Sequence, residues 1–184
     1  ATGSTDRTVL ALPHVGQPAV LLARTWVADG RLGTVSAAHA RHSHGGPEVY
    51  YAGIREILEE SDDGADSLWF FDADQADVGA LFDMGVYAIA ALVTLLGSVV
   101  TVTGRLATVA KPTRLEDTAA LILEFDSGAL GTAETGWCDA ARTGTFSVHG
   151  TEGKLVFPGN DGGLWHHRPG STVDEDAPLI SEPV

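Results

Sequence analysis

The sequence has few basic residues and almost no cysteine. It holds 11 Lys and Arg against 25 Asp and Glu, a net charge of −14, and its two lysines are Lys111 and Lys154. A chain this acidic offers no basic face to neutralise phosphates, which argues against a nucleic-acid partner. The single cysteine, Cys138, excludes an internal disulfide and is compatible with a reducing compartment, so we expect a cytoplasmic protein.

Motifs that would identify other catalytic classes are also missing. No GxGxxG follows a strand-like run and no GxSxG is present, so the chain carries neither a dinucleotide fingerprint nor a hydrolase elbow. His39, His42 and His44 lie close together, but no HExxH or Cys/His pattern accompanies them. We therefore expect no metal site, and we interpret His42–Pro47 as a polar loop that hydrogen-bonds a ligand.

The N-terminus lacks both an initiator methionine and the basic-then-apolar order of a signal peptide. The chain is therefore expected to be a piece of a larger protein. Its 184 residues are enough for one domain with a hydrophobic core, which we place at residues 1–170, with a flexible tail over 171–184.

The longest apolar run, Gly79–Gly97, carries two polar side chains. It reads GALFDMGVYAIAALVTLLG, which predicts a helix, and Asp83 near its start argues against a membrane span. Asp83 and Tyr87 are four residues apart, so they lie on one helical face and form a candidate acid/base pair. Two plainer interpretations stay open: Asp83 complements the helix dipole, and Tyr87 packs with its hydroxyl satisfied.

Two glycines interrupt this predicted helix. Gly79 lies at its edge and Gly85 lies between Asp83 and Tyr87. An interior glycine costs a helix about 1 kcal/mol relative to alanine, so its presence indicates that another body approaches the backbone closely. At Gly85 that body is either a ligand or a packed strand or helix.

Helical patterns dominate the first half of the chain and strand patterns the second. The predicted helices are Pro18–Asp29, Glu48–Glu60 and Gly79–Gly97; the predicted strands are Thr8–Leu12, Thr34–Arg41, Val99–Thr108, Asp117–Phe125, Ala129–Trp137, Thr143–His149, Lys154–Phe157 and Gly163–His167. Short glycine-containing turns between consecutive strands favour antiparallel pairing. This order predicts an α+β fold with a meandering sheet.

Four segments in this order resemble the C-terminal domain of the Gfo/Idh/MocA family, the glucose–fructose oxidoreductase and inositol dehydrogenase group. They are Pro18–Val35, Gly79–Gly97, Glu116–Trp137 and Phe146–Phe157, and the resemblance extends over residues 8–158. It implies an open, largely antiparallel β-sheet with helices packed on one face. It also implies an N-terminal Rossmann domain that binds NAD or NADP and ends in a Glu-Lys-Pro segment with a catalytic lysine. Neither is present in this chain.

The resemblance further implies roles for individual residues. In the family's helix motif an Asp is followed four residues later by His; Asp83 occupies the first position, and Tyr87 stands where most members have His. The glucose–fructose oxidoreductase branch has Tyr there, and a phenol, with an ordinary pKa of about 10, then needs a nearby cation. We expect Tyr87 to exchange the substrate's hydroxyl proton and Asp83 to orient the substrate or the phenol. His44, Arg41 and Trp69 are weaker candidates for the substrate pocket.

The intact protein is therefore expected to move a hydride between a sugar, cyclitol or related polyol and NAD or NADP. The cofactor would be bound mainly by the absent N-terminal domain, so this chain alone is expected to be inactive. Subunits are expected to associate through the open sheet face as a homo-oligomer. Two alternatives stay open: a non-catalytic ligand-binding or regulatory module of the same fold, and a structural assembly domain.

Overall fold

One mixed β-sheet organises the chain. The computed structural model describes residues 13–58, 69–159, 163–168 and 180–184, and the sheet within them has eight strands in the order β2-β3-β4-β1-β5-β6-β7-β8. The strands are β1 Val35–Ser43, β2 Val99–Ala107, β3 Thr118–Phe125, β4 Leu130–Gly136, β5 Thr143–Gly150, β6 Lys154–Phe157, β7 Trp165–Arg168 and β8 Ile180–Pro183. Neighbouring strands are antiparallel except β1 and β4, which run parallel.

Three α-helices accompany the sheet: α1 Pro18–Ala28, α2 Pro47–Leu58 and α3 Val86–Leu96. Pro18 begins α1, where its missing N–H and fixed φ cost nothing. Short 3₁₀ turns lie at Pro13–Gly16 and Trp69–Phe71, and a π-helical turn, Leu81–Gly85, leads directly into α3. None of the helices in the described ranges is long and apolar enough to cross a bilayer.

The core lies between α1, α3 and one face of the sheet. Strand β3 shows the pattern clearly, since Ala119, Leu121, Leu123 and Phe125 are buried while the residues between them face outward. All of these except Ala119 share a cluster with Val20 and Ala23 of α1 and Leu92 and Leu95 of α3. The opposite face of the sheet carries no helix among the described residues. The expected α+β fold, an open and largely antiparallel sheet with helices on one face, is confirmed.

The position of β1 departs from the expected meander. It lies between β4 and β5, with Arg41 opposite Glu134 in the parallel ladder and opposite Thr145 in the antiparallel one. It also runs two residues further than predicted, so His42 and Ser43 belong to the strand and the loop begins at His44. Pairing on both sides supplies partners for this backbone, which explains why the strand continues.

Two other predicted elements differ. The single helix expected over Gly79–Gly97 begins instead with the π-helical turn, and Ile180–Pro183, assigned to the flexible tail, pairs with β7 as β8. That pairing gives the backbone of these four residues hydrogen-bond partners, which a free tail would lack. The predicted strand Thr8–Leu12 and residues 171–179 lie outside the described residues.

Candidate active site

The site forms where the parallel strands β1 and β4 end together. Parallel strands reach their carboxyl ends at the same edge of a sheet, so the residues that follow them emerge side by side. His44 follows β1 and Trp137 follows β4. The backbone N–H of His44 donates to the Gly136 carbonyl at 3.2 Å, and that of Asp139 donates to the His44 carbonyl at 3.1 Å. The strand ends are therefore joined, and both side chains reach the π-helical turn.

Asp83 is the residue on which they converge. The indole Nε1 of Trp137 donates to Asp83 Oδ2 at 2.8 Å, and His44 Nε2 lies 3.7 Å from the same oxygen. Trp137 is fully buried, whereas the Asp83 side chain is 26% exposed. The buried Trp137 thus hydrogen-bonds the Asp83 carboxylate from the core, while part of the carboxylate is exposed to solvent. This geometry suits a group that orients a hydroxyl-bearing ligand.

The ring of His44 is held in one orientation. The backbone N–H of Gly46 donates to its Nδ1 at 2.9 Å. An amide N–H can only donate, so Nδ1 accepts, and a neutral His44 carries its proton on Nε2. That N–H points toward the Asp83 carboxylate.

Tyr87 lies one turn after Asp83 and is half-buried. Its ring packs against His42, with centroids 4.9 Å apart, and against the small cluster that contains Met84 and Trp137. His42 lies on the helix-facing side of β1 and is buried. Asp83 and Tyr87 therefore both meet the Trp137 cluster, as expected for two residues on one helical face.

Glu116 fixes the start of the π-helical turn. Its backbone carbonyl accepts the N–H of Ala80 at 2.9 Å, and its carboxylate accepts the N–H of Leu81 at 3.1 Å. A Cβ at Gly79 would lie 2.3 Å from that backbone carbonyl oxygen, so only glycine fits there.

Gly85 is explained by strand packing rather than by a ligand. A Cβ added at Gly85 would lie 3.1 Å from Thr135 Cγ2 of β4 and 2.8 Å from Leu81 Cδ1. The Thr135 hydroxyl donates to the His42 carbonyl at 2.8 Å, which ties this contact to β1. Of the two alternatives for the approaching body, the structure shows the packed strand.

Arg41 points away from this site. Side chains alternate along β1, and Arg41 lies on the open face, where it pairs with Glu134 at 3.0 Å and Asp139 at 3.4 Å. Asp139 also accepts the Ser43 hydroxyl at 2.5 Å and the Thr143 hydroxyl at 2.8 Å. The hydrogen bond from Ser43, together with those from Thr143 and the charge of Arg41, lowers the pKa of Asp139 although burial opposes the shift. Arg41 and the Asp83 group thus occupy opposite faces of the sheet.

The aromatic run Trp69–Phe71, which contains the pocket candidate Trp69, reaches the site through Phe70 and Phe71. Their ring centroids lie 6.4 Å and 5.8 Å from that of Trp137, both in edge-to-face geometry. Phe70 and Phe71 therefore pack on Trp137, the residue that donates a hydrogen bond to Asp83. Trp69 begins this 3₁₀ turn, and its side chain lies outside the described residues.

Sequence reasoning missed the role of Trp137 and of a second buried group, Asp117. The carboxylate of Asp117 accepts the backbone N–H of Val109, Ala110 and Lys111 at 2.9, 2.7 and 2.8 Å. Burial would raise the pKa of Asp117, but these hydrogen bonds and that of Thr118 outweigh it and lower the pKa to about 2. Nothing in the local sequence marks either residue, because each acts through partners that the fold supplies.

The turn between β1 and α2 does not fit the phosphates of a dinucleotide. The turn that joins β1 to α2 is glycine-rich, as such a site requires, but the Gly45 carbonyl accepts the Lys111 ammonium and Glu48 lies in the first turn of α2. A carboxylate at a helix N-terminus takes the place that a phosphate would occupy. Within the described ranges, no group of three or more His, Cys, Asp or Glu side chains is placed to hold a metal ion.

Comparison with known proteins shows one family. The model of the GFO/IDH/MocA C-terminal domain matches residues 20–156. An NAD binding oxidoreductase from Klebsiella pneumoniae superposes with a TM-score of 0.72 at 24% identity, over 93% of this chain and 45% of that one. GenD2 from gentamicin A biosynthesis, in complex with NAD, gives 0.63 at 26% identity, over 78% and 37%.

A further structure of the same fold is an inositol dehydrogenase homolog from Azotobacter vinelandii complexed with NAD⁺. It gives a TM-score of 0.69 at 19% identity, over 92% of this chain and 42% of that one. The chain therefore spans less than half the length of these structures. A search of curated proteins found no match.

Proposed function

Since the chain belongs to the GFO/IDH/MocA family through its C-terminal domain, we propose that it is the substrate-binding and catalytic half of an NAD(P)-dependent oxidoreductase. Its substrate is a sugar, cyclitol or related polyol. Structures of this fold include levoglucosan dehydrogenase with NADH and L-sorbose and the inositol dehydrogenase homolog with NAD⁺, which support this substrate class.

One observation carries the proposal: a carboxylate held by a buried indole lies one helical turn from a phenol, at the end of two parallel strands. Asp83 accepts hydrogen bonds from the substrate's hydroxyls, and His44 Nε2–H supplies a donor beside it. Tyr87 exchanges the proton of the reacting hydroxyl. The nicotinamide supplies the hydride chemistry when it is bound.

Because the turn between β1 and α2 does not fit the dinucleotide phosphates, the nucleotide belongs to another domain. This chain alone is then inactive. Arg41 is left out of the proposed site, because its side chain lies on the opposite sheet face with Glu134 and Asp139.

Association and location complete the proposal. The open sheet face is the surface through which subunits pair as a homo-oligomer; Ile122 and Leu130 on this face are 49% and 48% exposed. The single cysteine supports a cytoplasmic location.

Replacement of Tyr87 by Phe, in a polypeptide that also carries a nucleotide-binding domain, tests the function. We expect turnover of a polyol to fall by about 10²-fold or more while its binding is kept, since only the hydroxyl that carries the exchangeable proton is removed. Tyr50→Phe is the matched control, because Tyr50 is 62% exposed on α2. Unchanged turnover in the Tyr87 variant would remove Tyr87 from the mechanism. Ligand binding without turnover in the wild type would favour a non-catalytic binding or regulatory module.

A further inference from the structure

Lys111 lies beside the turn that carries His44. Its ammonium donates to the Gly45 carbonyl at 2.5 Å and to Glu48 Oε1, and its side chain is only 14% exposed. It thus bridges the β1–α2 turn and the first turn of α2. None of the steps assigned above to Asp83, Tyr87 or His44 uses this lysine.

The backbone of Lys111 is anchored independently of its side chain. Asp117, fully buried at the start of β3, accepts the N–H groups of Val109, Ala110 and Lys111. The loop that presents the lysine is therefore fixed to the sheet. Because the backbone of Lys111 is fixed, the contacts of its ammonium limit the movement of the β1–α2 turn.

The turn itself is shaped to receive the ammonium. Gly46 has a φ of +114°, which L side chains rarely adopt, and a Cβ there would lie 2.7 Å from Lys111 Nζ. The ammonium thus packs directly on the Gly46 backbone. The N–H of this same Gly46 donates to His44 Nδ1 at 2.9 Å. Any shift of the turn moves the donor that selects the His44 tautomer.

We propose that Lys111 is a positioning residue for the active site. Through Gly45 and Glu48 it holds the turn so that the Gly46 N–H stays bonded to His44 Nδ1 and the Nε2–H of the neutral ring is directed to Asp83. Lys111 itself does not touch the substrate. Its importance for catalysis rests on the proposed function, but its effect on the His44 ring does not.

Histidine-ring ¹⁵N spectra of the 184-residue chain, recorded without substrate or cofactor above the titration range of the rings, test this inference. His44→Gln identifies the His44 signals. In the wild type we expect one neutral tautomer, with the proton on Nε2. In Lys111→Met, which keeps much of the aliphatic stem and removes the charge, we expect loss of the single tautomer and signals of both. Lys111→Arg restores the ammonium's role as a donor and returns the single tautomer.

The chain offers a matched control, since Lys154→Met removes its only other lysine. This variant keeps the single His44 tautomer if the effect is specific. A Lys111→Met variant that also keeps it overturns the inference. If Lys111→Met does not fold, Glu48→Ala replaces it, because it removes one of the two acceptors; an unchanged tautomer there overturns the inference as well. Failure of the proposed function would instead appear in the Tyr87→Phe kinetics, so the two failures are distinguishable.

Discussion

Trp137 donates its indole N–H to Asp83 Oδ2 at 2.8 Å, across 54 positions of sequence. The indole has one donor and is fully buried, so this bond is the one hydrogen bond that it can donate. The orientation of the carboxylate is therefore set by a core residue that follows β4, and not by the helical turn alone. The contact joins the packing of the sheet to the geometry of the site.

Trp137→Phe is expected to lower the free energy of unfolding by about 1.5–3 kcal/mol, because the partly buried hydrogen bond from the indole to the Asp83 carboxylate is lost. Urea denaturation measures this. Trp165→Phe is the control: Trp165 is 37% exposed on β7, and we expect a cost of about 0.5 kcal/mol. Equal costs for the two variants would contradict a special role for the indole N–H.

Stability is expected to fall in acid through Asp117. Its pKa is about 2 in the folded state against 3.8 for the free side chain, so the ionised form stabilises the fold above pH 4. This contribution, about 2 kcal/mol, is lost as the pH falls from about 5 to 2. Denaturation at a series of pH values measures the slope. Asp117→Asn is expected to be less stable at pH 7 and to show a flatter profile, while Asp126→Asn, in an exposed turn, keeps the wild-type slope. If Asp117→Asn kept the wild-type slope of unfolding free energy against pH, other carboxylates would be responsible for the loss of stability in acid.

Gly79→Ala is expected to destabilise the chain by about 1–3 kcal/mol, although alanine is the better helix former. The added Cβ would meet the backbone oxygen of Glu116 at 2.3 Å, and this oxygen, which already accepts the Ala80 N–H, cannot move aside cheaply. Thermal unfolding compares it with Gly16→Ala, where nothing lies within 4 Å of the added Cβ. Equal melting temperatures in the two variants would show that the start of the π-helical turn shifts to accommodate the added methyl group without loss of stability.

Arg41→Met is expected to leave polyol binding unchanged, because Arg41 faces the open side of the sheet. Its half-exposed ion pairs with Glu134 and Asp139 are worth about 1 kcal/mol or less in stability. Calorimetric titration of a polyol compares it with Asp83→Asn, in which we expect weaker binding. A tenfold loss of polyol affinity in Arg41→Met would indicate that Arg41 contributes to the substrate pocket.

The sequence predicted the helical geometry of the Gly79–Gly97 segment, apart from its first turn. A helical pattern over Gly79–Gly97 placed Asp83 and Tyr87 on one face, because helical spacing is a property of neighbouring residues. The α+β order of elements followed from the same local patterns. The π-helical turn at the start was missed because it depends on Glu116, which lies 35 positions from Leu81 and caps that turn.

The remaining parts of the site depend on long-range pairing. His44 and Trp137 meet at Asp83 only because β1 is parallel to β4, and a pattern of alternating residues does not reveal a strand's neighbours. Arg41, a weaker candidate for the substrate pocket, has its side chain on the opposite face of the sheet, beside Glu134 and Asp139. Without the register, the face of each residue in β1 stays undetermined.

The central place of β1 also bears on how the protein folds during synthesis. Arg41 and its ladder partner Glu134 are 93 positions apart, and the other neighbour of β1, β5, ends at Gly150. β1 therefore leaves the ribosome long before either partner exists, and its backbone N–H and C=O groups lack their sheet partners until β4 and β5 have been made. High contact order of this kind slows folding. The edge that carries His44, Trp137 and Asp83 is consequently assembled late, once most of the sheet has been made.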